Sequence, residues 1–280
     1  MSNDERILEK LDDIAASLQR LAPKKTAPDW SGLAYQWLNH EDLRSVKVID
    51  PIQLSDLLHI DKQKTQLVEN TKKFLKGKPA NDALLWGARG TGKSSLIKAL
   101  LNEYADQGLR VIEVDKDALI HFSELTQMLE KRNEFFILFC DDLSFEAQDA
   151  SYKALKAALD GSVAARPKNV LVYATSNRRH LLPESMRDNQ DTQLVDTELH
   201  HSDAVEEKIS LAERFGLWLS FQPLNQVEYL TIVNHWVDHY DLDIKDNEEL
   251  SVTAMRFSIH RGSRSGRVAH QFVKTLIKAE

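Results

Sequence analysis

The sequence predicts an α/β fold, a mostly parallel sheet covered by helices, with a small all-helical domain behind it. Three observations predict it. Between Trp30 and about Phe221, five short apolar runs alternate with helical patterns, the signature of a parallel sheet with crossover helices. After Pro223 the strand pattern stops and only helical periodicity follows. Three of the ten glycines, Gly87, Gly90 and Gly92, are crowded into six positions between the first run and the helix after it. A chain using about half the usual ~7% glycine that concentrates it so tightly needs an unusual backbone there.

Taken in order, residues 5–21 carry Ile7, Leu11, Ile14, Leu18 and Leu21 at spacings of four and three. This is a heptad seam of little more than two repeats, too short for a coiled coil alone. A helix docking on its own domain and a self-association arm fit it equally. Residues 22–28 (APKKTAP) are polar and proline-flanked and read as a linker, so 1–28 form the first region. The α/β core follows over 29–222. Its strands are 82–86 (DALLW), 109–115 (LRVIEVD), 135–141 (FFILFCD), 169–175 (NVLVYAT) and 217–221 (LWLSF), short apolar runs of the kind buried on both faces. Helices are expected at 94–104 and at 147–159, the latter ending before Gly161. In 223–280, Asn225 and Glu228 have capping-box spacing and open a helix to about His239. Two more helices are expected near 247–260 and 265–279.

Composition narrows the classes. Hydrophobic residues are 42% and charged residues 28%, which fits a soluble globular protein of one or two domains. A net charge of −7 argues against a general nucleic-acid coat protein but leaves room for a local basic patch. The single cysteine, Cys140, excludes an internal disulfide and a multi-cysteine zinc site, and inside an apolar strand it reads as a core residue. No apolar run approaches the ~18 residues of a membrane span, and the acidic start lacks the order of a secretory signal. A cytoplasmic protein without membrane contact is expected.

The glycine cluster falls in Gly87-Ala88-Arg89-Gly90-Thr91-Gly92-Lys93-Ser94, which fits G-x-x-x-x-G-K-[ST] between a strand and an amphipathic helix, the required context. Glycines let successive backbone N–H groups turn inward around a phosphate. The helix beginning near Lys93 adds its positive dipole end. Lys93 supplies a point charge for the β and γ phosphates, and Ser94 a hydroxyl for Mg²⁺. This loop, with Ser95 after it, is the candidate site for the phosphates of a nucleotide. A second signal is the pair Asp141-Asp142, where six apolar residues end. Adjacent carboxylates mark where a buried strand emerges. A Mg²⁺-nucleotide site needs such a group, so Asp141 is the candidate metal ligand. Asp142 can polarise the attacking water, with Glu146 in reserve.

With these elements placed, the chain resembles an AAA+ ATPase, and more narrowly a bacterial AAA+ family of uncharacterised biological role. The resemblance is carried by residues 57–95, 136–146, 174–179 (ATSNRR) and 206–215 (EEKISLAERF). It covers about 30–280 and leaves the heptads outside. It implies a five-stranded parallel sheet, a helical lid, ATP with Mg²⁺, and a homo-oligomer in the ATP state acting on an unidentified macromolecular substrate. Asn177 matches the sensor-1 position, a polar group that reads the γ-phosphate. Arg214 matches the place of an arginine finger acting on a neighbouring subunit's ATP, with Arg178 and Arg179 as rivals. The family's acidic pair is usually Asp-Glu; here it is Asp-Asp, which leaves the catalytic carboxylate open between Asp142 and Glu146.

The basic turn 260–267 (HRGSRSGR) opens the last helix. Arg264 and Arg267 at a helix N-terminus oppose the macrodipole, so a bound anion would relieve them. The resemblance puts a sensor-2 arginine here, with Arg267 favoured over Arg264, and a phosphodiester-binding patch is the alternative. His235 and His239, four apart on a helix, have metal-compatible spacing but no evident third ligand. Residues 183–203 read as a surface loop, and 116–122 as the loop where many AAA+ machines carry pore residues. Two rival functions remain: a P-loop kinase acting on a small metabolite, and a nucleotide-gated module that binds nucleic acid without hydrolysis.

Overall fold

The structure, a computed structural model, describes residues 28–38, 43–145, 149–160, 166–177, 211–244 and 246–277, together with Ile7, Lys10, Asp13, Ile14 and Ser17. Met1–Ser31 and Gly32–Glu280 are two compact units. In the first, those five residues are helical, and the seam residues Ile7 and Ile14 are exposed. Leu11, Leu18 and Leu21 of the seam lie outside the described residues.

In the second unit the chain runs β1 (Ala34–Trp37), β2 (Leu43–Ser45), α1 (Asp61–Leu75), β3 (Ala83–Gly87), α2 (Lys93–Tyr104), β4 (Leu109–Val114), α3 (Phe122–Glu130), β5 (Phe135–Cys140), α4 (Ala150–Asp160), β6 (Val170–Ser176) and β7 (Leu217–Phe221). Three helices follow: α5 (Gln226–His239), α6 (Asn247–His260) and α7 (Gly266–Leu276). The strands form one sheet in the order β2-β1-β4-β5-β6-β3-β7. Every neighbouring pair is parallel except β1 with β2.

The sheet thus has seven strands where the sequence predicts five. The five expected strands are its centre and one edge; β1 and β2 extend the other edge. Four and three residues are too few to display a period-2 pattern above background. In β1, Tyr35 and Trp37 are buried and Gln36 is exposed, whereas β2 buries no residue. Residues 116–121 also differ from the expected loop: Lys116–His121 is a 3-10 helix that buries Ala118 and Leu119.

Period-2 alternation puts the two faces of the central strands into two layers. Leu85, Val111, Ile137, Phe139, Leu171 and Tyr173 pack with Leu67 and Phe74 of α1 and with Leu96, Ile97, Leu100 and Leu101 of α2. The alternate residues Phe136, Leu138, Cys140 and Val172 are also fully buried. Cys140 is the core residue its strand suggests, and burial pushes its thiol up to about 12. The lid has its own core of Tyr229, Val233, Ala254, Ala269, Phe272 and Val273, against which Leu58 packs from the α/β side. All three lid helices have side-chain N-caps: Asn225 in a complete capping box with Glu228, then Asp246, then Ser265. Among the described residues no helix is long and apolar enough to cross a membrane.

Candidate nucleotide site

The loop after β3 meets the backbone demands of a phosphate cradle. Gly87, Gly90 and Gly92 take φ of 136°, 74° and 100°, values open to glycine and strained for other residues. Gly87 also lies tightly against β7, where an added Cβ would fall 2.0 Å from the carbonyl oxygen of Phe221. Ala88 donates its N–H to that same oxygen at 3.3 Å. Thr91 donates its hydroxyl to Ala88 O at 2.8 Å, closing the loop on itself.

Lys93 begins α2 and is buried. Its Nζ donates to Gly87 O at 2.8 Å, Ala88 O at 2.7 Å and Asn177 Oδ1 at 3.3 Å. Burial holds its pKa below the usual lysine value, with Arg267 and Arg89 acting the same way and Asp142 and Asp141 opposing. An ammonium held among carbonyls and two arginines gains from any anion that enters.

The acidic pair leaves β5 beside this loop. Asp141 Oδ1 accepts from Ser94 Oγ at 2.7 Å and from the Thr175 hydroxyl. Asp142 has φ of 48°, a left-handed conformation that Asp tolerates better than most residues. Its N–H donates to Thr175 Oγ1 at 2.9 Å and to Asp141 Oδ1 at 3.1 Å. Its carboxylate accepts from Asn177 Nδ2 and faces Arg89 Nη2 at 3.7 Å. The Asn177 amide therefore bridges Lys93 and Asp142, oxygen to cation and nitrogen to carboxylate, which fixes its orientation. The hydroxyl of Ser94 and the carboxylate of Asp141 touch, and both are hard oxygen donors of the kind Mg²⁺ takes. The residues present therefore fit that ion.

These groups open into a cleft of about 1010 Å³. Of the expected site residues, Arg89, Gly90, Thr91, Gly92, Lys93, Ser94, Ser95, Asp141, Asp142, Asn177 and Arg267 line it. Gly87 and Ala88 do not, being turned to β7 and to Lys93. Arg214 is elsewhere: it pairs with Asp160 at the end of α4. Arg178, Arg179 and Glu146 lie outside the described residues, as do 183–203.

The structure adds residues that the sequence reading missed. Thr175, 1% exposed, donates its hydroxyl to the Asp141 carboxylate and accepts from the Asp142 backbone N–H. Leu57 and Ile60 line the cleft from the α/β side, and Ile232, Trp236 and His270 line it from the lid helices. The His270 ring stacks on Trp236 at 4.0 Å between centroids, and its Nε2 pairs with Tyr240 Oη at 2.7 Å. Burial, with Lys274 and His239 nearby, holds its pKa below the usual value against the pull of Asp50 and Asp56. His235, expected as a possible metal ligand, instead faces Asp56 Oδ1 at 3.3 Å, joining α5 to the turn Leu54–Asp56.

A parallel sheet with the loop after β3, an acidic end on β5, a polar end on β6 and a helical lid over the cleft define an AAA+ P-loop protein. Within that class, residues 31–280 match the family described as "Protein of unknown function (DUF815)", and the chain belongs to it. Among solved structures it is similar to a K64R mutant of RuvB from Thermotoga maritima, with a TM-score of 0.54 and 15% identity over 80% of this chain and 64% of that one. It is similar to the same degree, TM-score 0.54, to AMPPCP-bound DnaA from Aquifex aeolicus, at 14% identity over 82% of this chain and 66% of that one. At such identities the likeness is one of fold. A stretch of 66 residues is 39% identical to the replication factor C large subunit of Staphylothermus marinus, which is 23% of this chain and 15% of that protein.

Proposed function

We propose that the protein is a Mg²⁺-dependent ATPase of the AAA+ type, cytoplasmic, in which hydrolysis drives conformational change within a homo-oligomer assembled with ATP. The observation that carries this reading is the unbroken chain Arg89–Asp142–Asn177–Lys93 beside the Ser94–Asp141 contact. In this mechanism Lys93 and the loop amides hold the β and γ phosphates in place of the Gly87 and Ala88 carbonyls. Ser94 and Asp141 would hold Mg²⁺, which when bound would neutralise negative charge on the phosphates. Asp142 orients the attacking water, and Asn177 keeps that carboxylate beside the γ position. Arg267 reaches from the lid toward the same phosphates.

This reading gives Arg214 to a neighbour's site, and its position in the fold supports that. It precedes β7, which runs parallel to β3, so it sits at the opposite end of the sheet from its own phosphate loop. Five strand residues at ~3.3 Å each separate the two ends by roughly 17 Å. An arginine there cannot serve its own cleft, and its Asp160 partner holds it until a neighbour's nucleotide competes.

The test is ATPase rate against protein concentration, with size-exclusion chromatography with and without ATP. Turnover per subunit is expected to rise as subunits assemble. A fully active monomer would remove the trans role of Arg214. ADP formation that requires an added metabolite and releases no inorganic phosphate would favour the kinase, and tight binding without turnover the binding module. Asp142→Asn is expected to keep ATP binding and lose turnover; unchanged turnover would transfer the water-orienting role to Glu146.

A nucleic-acid partner is the second reading, favoured by one observation. Arg256, Arg261 and Arg264 are exposed on the lid, Arg261 stacks on Phe257 at 5.2 Å, and none has an ion pair among the described residues.

A further inference from the structure

The last lid helix touches the phosphate loop at one tight point, between Ser265 and Gly90. A Cβ added at Gly90 would lie 2.7 Å from Ser265 Oγ, 2.9 Å from Ser265 Cβ and 3.4 Å from Arg267 Cβ. The reverse approach is relaxed: a Cβ at Gly266 would meet Gly90 O at 3.5 Å, an ordinary contact. Ser265 is 3% exposed. Its Oγ accepts from Val268 N at 3.3 Å and its carbonyl from Ala269 N at 3.0 Å, so it is fixed to the first turn of α7. That helix carries Ala269, Phe272 and Val273 into the lid core. A push at Ser265 therefore moves the lid as a body, and moves Arg267 with it.

We infer that Ser265 is a positioning residue that seats the lid on the phosphate loop, with Gly90 as its socket. The contact sets how far Arg267 stands from the phosphates, so it rests on the nucleotide reading above. Only glycine fits the socket, for two separable reasons: its φ of 74°, and the space that Ser265 occupies. Gly92 separates them. It too has a positive φ, but a Cβ there meets only Ile60 Cδ1 at 3.5 Å and Leu57 Cδ2 at 3.8 Å, both ordinary contacts.

The experiment is a double-mutant cycle read as ATP affinity by calorimetry and as melting temperature without nucleotide. Gly90→Ala is expected to weaken ATP binding about tenfold or more. Ser265→Gly alone costs about threefold, since glycine is a tolerable cap. Combined with Gly90→Ala, it recovers at least about threefold of the loss. Gly92→Ala gains nothing from Ser265→Gly. In an Arg267→Ala background the recovery of affinity disappears, which distinguishes positioning of Arg267 from mere packing. If Ser265→Gly fails to rescue Gly90→Ala, the loss is backbone strain alone and the seat does not exist. If the unaltered protein binds no ATP, the nucleotide reading falls. The melting-temperature cycle still decides the contact in that case: additive shifts overturn it, and rescue upholds it.

Discussion

Thr175→Val tests the least conspicuous residue of the site. Thr175 is 1% exposed, so valine enters a closed space of nearly the same shape and removes only the hydroxyl. That hydroxyl donates to Asp141 and accepts from Asp142 N–H. A hydrogen bond to an ionised carboxylate contributes about 1.5–3 kcal/mol. The Asp142 N–H keeps Asp141 Oδ1 at 3.1 Å, so no donor is fully orphaned and the lower half of that range applies, about 2 kcal/mol. In a chain of this size 1 kcal/mol shifts the melting temperature by about 2–4 °C, so thermal denaturation should report a loss of roughly 4–8 °C. Asp141 without its tether should also bind Mg²⁺ less well. A Mg²⁺ titration of ATPase activity should shift upward by about tenfold, the equivalent of ~1.4 kcal/mol. Thr175→Ser, which keeps the hydroxyl, should recover most of both losses. A Thr175→Val protein that melts within about 1 °C of the original with an unchanged Mg²⁺ midpoint would refute the reasoning.

Three further outcomes are expected. Lys93→Ala should weaken ATP binding by about a hundredfold or more in calorimetry, because charge-assisted phosphate contacts are the strong ones. Its melting temperature without nucleotide should hold or rise, since burial already disfavours the charged lysine. His270 has a folded pKa below 6.5, so the folded protein binds fewer protons than the unfolded chain between the two values. Its contribution is complete above 6.5 and is lost as pH falls toward the folded pKa. The melting advantage over His270→Gln should therefore shrink between about pH 7.5 and about pH 5.5. The triple variant of Arg256, Arg261 and Arg264 to alanine should lower oligonucleotide affinity and flatten its salt dependence by up to about three counterions; equal binding before and after substitution removes that surface.

What could be read in advance follows physical range. The phosphate loop, the Asp141-Asp142 strand end and the Asn225–Glu228 capping box are local: each needs only neighbouring residues. The central strands are legible because a run such as 135–140 is apolar on both faces. β1 and β2 are not, because they exist through pairing with β4 and with each other rather than through their own pattern. Thr175 reads as an ordinary β-branched strand residue; its role depends on the register that sets Ala174 beside Cys140. The apolar lining of the cleft is also hidden, since Leu57 and Ile60 share it with Ile232 and Trp236 from far along the chain. Arg214 is the converse case: its match to a family position was legible, but its separation from its own cleft appears only once β7 is seen parallel to β3.

The strand order explains why Asn177 bridges the site. In sequence the loop comes first, the acidic pair second and Asn177 last, but in the sheet β6 lies between β5 and β3. Strand ends two places apart are separated by about 10 Å. Ser94, at the start of α2, crosses that gap to meet Asp141. Asn177, just after β6, meets Lys93 through its amide oxygen and Asp142 through its amide nitrogen. The bridge needs an acceptor toward the cation and a donor toward the carboxylate, on one short side chain. Aspartate cannot donate when ionised and serine offers a single atom for both sides. Asparagine fits that slot because a parallel crossover sets it between opposite charges, so its identity follows from topology as much as from chemistry.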